Sequence, residues 1–83
     1  MLRVVADTNL YVSAAISPHG TSSRIIECAQ RGEITLVMCG ALCDEIQEVL
    51  ARDKFRRWIT VDEASEFVDA VVLLAEWVDD RPV

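Results

Sequence analysis

Histidine occurs once in this chain, and basic residues number eight against fourteen acidic ones. Each shortage excludes something. A structural zinc site needs four ligands. Cys28, Cys39 and Cys43 with His19 are the whole stock of cysteine and histidine. Cys39 and Cys43 are spaced to share a helix face, and as buried small hydrophobes they need no metal. An odd cysteine count with no secretory signal points to the cytosol, with thiols reduced. The opening Met1-Leu2-Arg3-Val4-Val5 has no signal-type apolar segment, and no run elsewhere approaches a membrane span. The deficit of positive charge, net −6, argues against a free-standing nucleic-acid clamp, which works by neutralising phosphates with Lys and Arg. Nucleic acid handled through a metal ion stays open, because a cation inverts the local electrostatics.

What is present is apolar. Hydrophobic residues make up 52% of the 83, too many for disorder. The length allows one small domain, which buries roughly 60% of its unfolded surface and is marginally stable without help. No internal repeat or low-complexity segment interrupts it.

The most informative stretch is Val4-Val5-Ala6-Asp7-Thr8-Asn9. A short apolar run closed by a polar cluster reads as a buried strand. Thr8 or Asn9 is placed to cap a following helix over Leu10 to Ile16. Asp7 then stands at the carboxyl end of a strand, before a helix N-terminus, where open α/β sheets bind ligands. An aspartate there can equally be a turn or cap residue.

Further along, Ser17-Pro18-His19-Gly20 reads as a loop. His19, the one histidine, is assigned no role. Thr21-Ser22-Ser23 offers caps for a helix to about Arg31, closed by Gly32 at C′. Ile34 to Cys39 is nearly continuous in apolar residues, as suits a parallel strand covered on both faces. Gly40 turns the chain into a third helix, Ala41 to about Ala51, with Leu42, Ile46, Val49 and Leu50 on one face. Glu45 borders that stripe. Its carboxylate either pairs with something, a metal ion for instance, or reaches water while its stem packs.

Arg52 to Trp58 carries four cations and two aromatics. Arg52, Lys54, Arg56 and Arg57 can line a nucleic-acid path. The segment can as easily be a solvated turn with Phe55 and Trp58 packed inward. Thr60-Val61-Asp62-Glu63 is a capping box. It opens a last helix to about Trp77, whose apolar stripe is broad enough to need cover on both sides. The inventory is two parallel strands and about four helices. Such a sheet is a poor free-standing unit, so self-association or a completing partner is expected.

Taken together, Val4 to Asn9, the Ser13 to Pro18 approach, Leu42 to Leu50 around Glu45, and Arg52 to Arg57 resemble the N-terminal part of a PIN domain. The likeness is nearest to the VapC-like toxin group and covers all 83 residues. It implies a flavodoxin-like α/β/α sandwich with a parallel sheet, here shortened to about two strands and four helices. It implies a Mg²⁺- or Mn²⁺-dependent ribonuclease, with RNA as substrate, a cognate antitoxin and a homodimeric state. Asp7 and Glu45 match the family's first two metal-ligating acids. Asn9 matches the polar position that supports the first carboxylate and its water. Cys39-Gly40 replaces a usual serine cap, and Asp53 stands where proline is frequent. Nothing matches the family's two later acidic residues, so residues 1–83 are expected to be the N-terminal portion of a single PIN-like domain.

Overall fold

The computed structural model describes residues 2–79. Strand β1, Leu2–Val5, is followed by helices α1, Thr8–Ile16, and α2, Thr21–Gln30. Strand β2, Ile34–Met38, leads into α3, Gly40–Leu50. A 3₁₀ turn at Asp53–Phe55 precedes α4, Val61–Leu74, and strand β3, Glu76–Trp77. The sheet is parallel throughout, in the order β1-β2-β3, with Val4 beside Leu36 and Met38 beside Trp77.

Both crossovers run the same way across the sheet. Right-handed, as nearly all such connections are, they set the helices against one sheet face. Strand side chains alternate between faces, and the core follows that alternation. Val4, Ala6, Ile34, Leu36 and Met38 join the helical core; Arg3, Val5, Thr35 and Val37 do not. The shortest molecular extent is 18 Å, about the thickness of one sheet and one helical layer when layers stack roughly 10 Å apart. On the other face, Arg3 Nε lies 2.8 Å from Glu76 Oε2, bridging β1 and β3 over β2. The pair is half exposed, and ion pairs of that kind contribute about 1 kcal/mol at most.

The two-stranded expectation is corrected by β3. The last helix ends at Leu74 rather than near Trp77, and Ala75 turns to extended backbone (ψ 154°). The competing interaction is the open edge of β2. Val78 N–H donates to Met38 O at 2.8 Å, and Trp77 Nε1 donates to Val72 O at 3.0 Å. The second bond satisfies a last-turn carbonyl that the helix itself leaves unpaired. On α4 the fully buried line is Ala64, Val68 and Val71, while Leu73 is 87% exposed. Phe67, Val72, Leu74 and Ala75 on either side of that line are partly buried and pack against the same core.

Helix boundaries follow the caps. Asp7, not Thr8 or Asn9, caps α1: its Oδ1 accepts from Leu10 N–H at 3.1 Å. Gly20 precedes α2 without a side-chain bond, so the serines there are not caps. Ser23 serves α1 instead, with its buried Oγ 3.0 Å from Ala14 O and 2.5 Å from Ser17 O. Gly32 takes φ +77° after α2, the left-handed conformation of a helix-ending glycine. Glu33 N–H reaches Cys28 O and Gly32 N–H reaches Ala29 O, the paired bonds of a Schellman ending. Thr60 and Glu63 form the capping box in both directions, at 3.0 and 2.9 Å.

Two predictions follow from these contacts. Tyr11 is 0% exposed, and its hydroxyl finds no hydrogen-bond partner among the described residues. An unsatisfied buried hydroxyl costs about 1–3 kcal/mol. Tyr11→Phe should therefore leave urea-unfolding stability unchanged or raise it by about 1 kcal/mol; a loss of that size would show a missed partner. Glu63 is held below the usual carboxylate range by the Thr60 backbone bond and then by its side-chain bond. Its lowered folded value means a contribution present above the unfolded carboxylate range and lost as pH falls through the folded value. Glu63→Gln, which keeps the box without the charge, should flatten the acid side of the melting-temperature profile.

Candidate functional site

A parallel sheet collects its strand ends at one edge. Asp7 stands there two residues past β1, in extended backbone (φ −88°, ψ 174°). Its side chain is fixed by α1: one oxygen is committed to Leu10 N–H. The residue is exposed. Asn9 lies within the first turn of α1, also exposed.

The neighbouring strand end supplies α3. Cys39 is its N-cap, in extended backbone and without a side-chain bond. A thiol is a weaker acceptor than a serine hydroxyl. Glu45 sits in the second turn of α3. Cys43, Ile46 and Leu50 point into the core, and Asp44, Glu45 and Glu48 are exposed. β1 pairs directly with β2, and α1 packs against α3. The elements carrying Asp7, Asn9 and Glu45 are thus adjacent, with α1 and α3 both starting from the sheet's carboxyl edge. Burial, and then the Asp44 charge, push the Cys43 thiol up. It stays protonated at neutral pH and behaves as a core hydrophobe.

The sequence reading missed one acidic residue at this edge. Asp79 lies two residues past β3, as Asp7 lies two past β1. A helix drawn through Trp77 hides that equivalence, and only the strand reveals it. Among the described residues, no group of three or more His, Cys, Asp or Glu is arranged to hold a metal ion.

The basic segment divides. Arg56 turns inward and donates through Nη2 to Leu50 O at the end of α3. Arg52, Lys54 and Arg57 are exposed. Lys54 Nζ lies 5.2 Å from the Phe55 ring centroid and the Arg57 guanidinium 5.1 Å from that of Trp58. The two rings are tilted, 6.4 Å apart. Phe55 is half-buried, whereas Trp58 is 54% exposed. Of the two aromatics read as packing inward, only Phe55 does so in part.

The sequence pattern of the PIN domain matches residues 3–82. The chain belongs to the PIN domain family. No curated protein and no solved structure matches it. Membership of this family suggests nuclease activity in general and RNA binding in general, and PIN domains generally use divalent metals. This PIN domain has no helix among its described residues long and apolar enough to cross a membrane.

The cap geometry separates two roles of Asp7. Asparagine caps helices as well as aspartate, whereas alanine costs about 1 kcal/mol. Asp7→Asn should keep the stability of the parent within about 0.5 kcal/mol, while Asp7→Ala loses about 1 kcal/mol. Urea unfolding of both variants checks this. Equal losses would mean that Asp7 matters to the fold through its charge rather than its cap.

Proposed function

We propose that this PIN domain is a divalent-metal-dependent endoribonuclease of the toxin–antitoxin kind, hydrolysing RNA phosphodiester bonds. The observation that carries this reading is the position of Asp7. It ends β1 at the sheet's carboxyl edge, exposed, with one carboxylate oxygen fixed by Leu10 N–H. The fixed oxygen holds the side chain in one orientation. The carboxylate stays exposed at the edge of the sheet.

Asp7 and Glu45 are the residues proposed to hold Mg²⁺ or Mn²⁺. Two carboxylates neutralise one divalent ion and leave the rest of its shell to water and substrate phosphate, a common arrangement for Mg²⁺. When bound, such an ion polarises the scissile phosphate and lowers the pKa of a bound water. The chain's own share is placement. Leu10 N–H orients Asp7, and Asn9 offers an amide beside it for a hydrogen bond to carboxylate or water. Arg52, Lys54 and Arg57 are the cations proposed for substrate phosphates, with Trp58 open for stacking on a base. Arg56 belongs less to this set, since its guanidinium is engaged with Leu50 O. A homodimer and a cognate antitoxin, in the cytoplasm, complete the proposal, and 1–83 is the N-terminal portion of its PIN domain.

A second reading has an observation of its own. The described residues gather no group of three metal-ligating side chains. On that reading the chain is a catalytically incomplete PIN remnant that acts as a binding or dimerisation module.

One experiment divides the two. The purified chain is incubated with a fluorescent single-stranded RNA and Mg²⁺, Mn²⁺ or a chelator. The nuclease reading predicts cleavage that the chelator stops and that Asp7→Asn and Glu45→Gln each reduce by about a hundredfold or more, the scale of losing several kcal/mol of charge stabilisation. No cleavage with either metal, from a cooperatively folded chain, establishes the remnant instead.

A further inference from the structure

The best-formed concavity lies away from Asp7 and Glu45. It has a volume of about 260 Å³ and sits between α3 and α4. Its floor is apolar: Leu50, Ala64 and Val68, all nearly fully buried. Four polar residues stand in the lining, Gln47, Arg56, Ser65 and Asp69.

Arg56 is the anomaly. It is half-buried, yet the ion pairs of the described residues are Arg3–Glu76 and Arg31–Glu33, and neither involves it. Its Nη2 donates to Leu50 O, and its Nε is buried without a partner. A helix C-terminus offers about half a negative charge, which leaves the guanidinium under-compensated. Burying a charge without a full partner is costly, and a guanidinium carries five N–H donors in a fork that matches a carboxylate. Asp69 lines the same cavity but is exposed. Water screens its charge far more than that of the half-buried Arg56.

We infer that the α3–α4 cavity is a binding site for a carboxylate carried on a compact apolar body, with the acid on Arg56 and the body on Leu50, Ala64 and Val68. The volume sets the size. It is near the lower end of small-molecule pockets and holds one ring with a short chain. The same chemistry can arrive as a free small acid or as the glutamate of a peptide beside an aromatic side chain. The site is separate from the nuclease reading and stands or falls without it.

The test is an amide NMR titration of the whole chain. The probes are 4-phenylbutanoate, its alcohol, its amine, and the peptide acetyl-Phe-Glu-amide. Saturable shifts at Leu50, Ala64 and Val68 are expected with the acid, and about tenfold weaker binding of the alcohol, the value of one charge-assisted bond. The amine should not bind. Saturation by the peptide at lower concentration than the free acid assigns the site to peptides; the reverse order assigns it to free acids. Arg56→Gln should erase the preference of acid over alcohol. Ser65→Phe, at an exposed position on the cavity wall, should block both ligands while cooperative melting persists. If Arg56→Gln does not fold, the acid–alcohol comparison and Ser65→Phe decide. Equal binding of acid and alcohol, binding that survives Ser65→Phe, or no saturable shift with either acidic probe overturns the inference.

Discussion

The constraint on which the rest depends is the parallel pairing of three strands whose crossovers advance in one direction. It puts the helices on one face, so the core is built from alternate strand residues only. It also gathers the strand ends at one edge, which is where Asp7, Cys39 and Asp79 stand. The second sheet face carries the half-exposed Arg3–Glu76 ion pair.

Much of this was legible in the sequence because the determining interactions were local. Asp7 ends an apolar run, Gly32 sits where a helix must stop, and Thr60 and Glu63 have capping-box spacing. Each signal uses contacts within about five residues, and the strand end, the helix end and the helix start they mark appeared close to where expected. The core side of α3 was legible for the same reason, since a helical repeat fixes which residues share a face.

The failures were decided by distant partners. Nothing near Glu76 announces a strand. Its residues leave the helix because β2, some forty positions earlier, presents an unpaired edge, and because the Trp77 indole can bond Val72 O. Ser23 looked like a cap by its position before a helix. It was taken instead by the carbonyls of Ala14 and Ser17 on the preceding helix. The same blindness hid the Arg56 environment: a basic run reads as surface, while the fold turns one of its four cations onto the end of α3.

The site has the same mixture. Asp7 was visible by position, as a ligand-edge residue or as a turn or cap residue, and the helix built on it shows that it caps. That double duty gives the central claim its sharpest form, that the exposed carboxylate held by Leu10 N–H belongs to a metal site shared with α3. Paramagnetic Mn²⁺ added to the ¹⁵N-labelled chain is the direct measurement, because amide broadening falls steeply with distance from the ion. The account predicts broadening centred on residues 7–10 and 43–46, and its loss in the still-folded Asp7→Asn variant. Broadening centred elsewhere, or unchanged by that substitution, contradicts it.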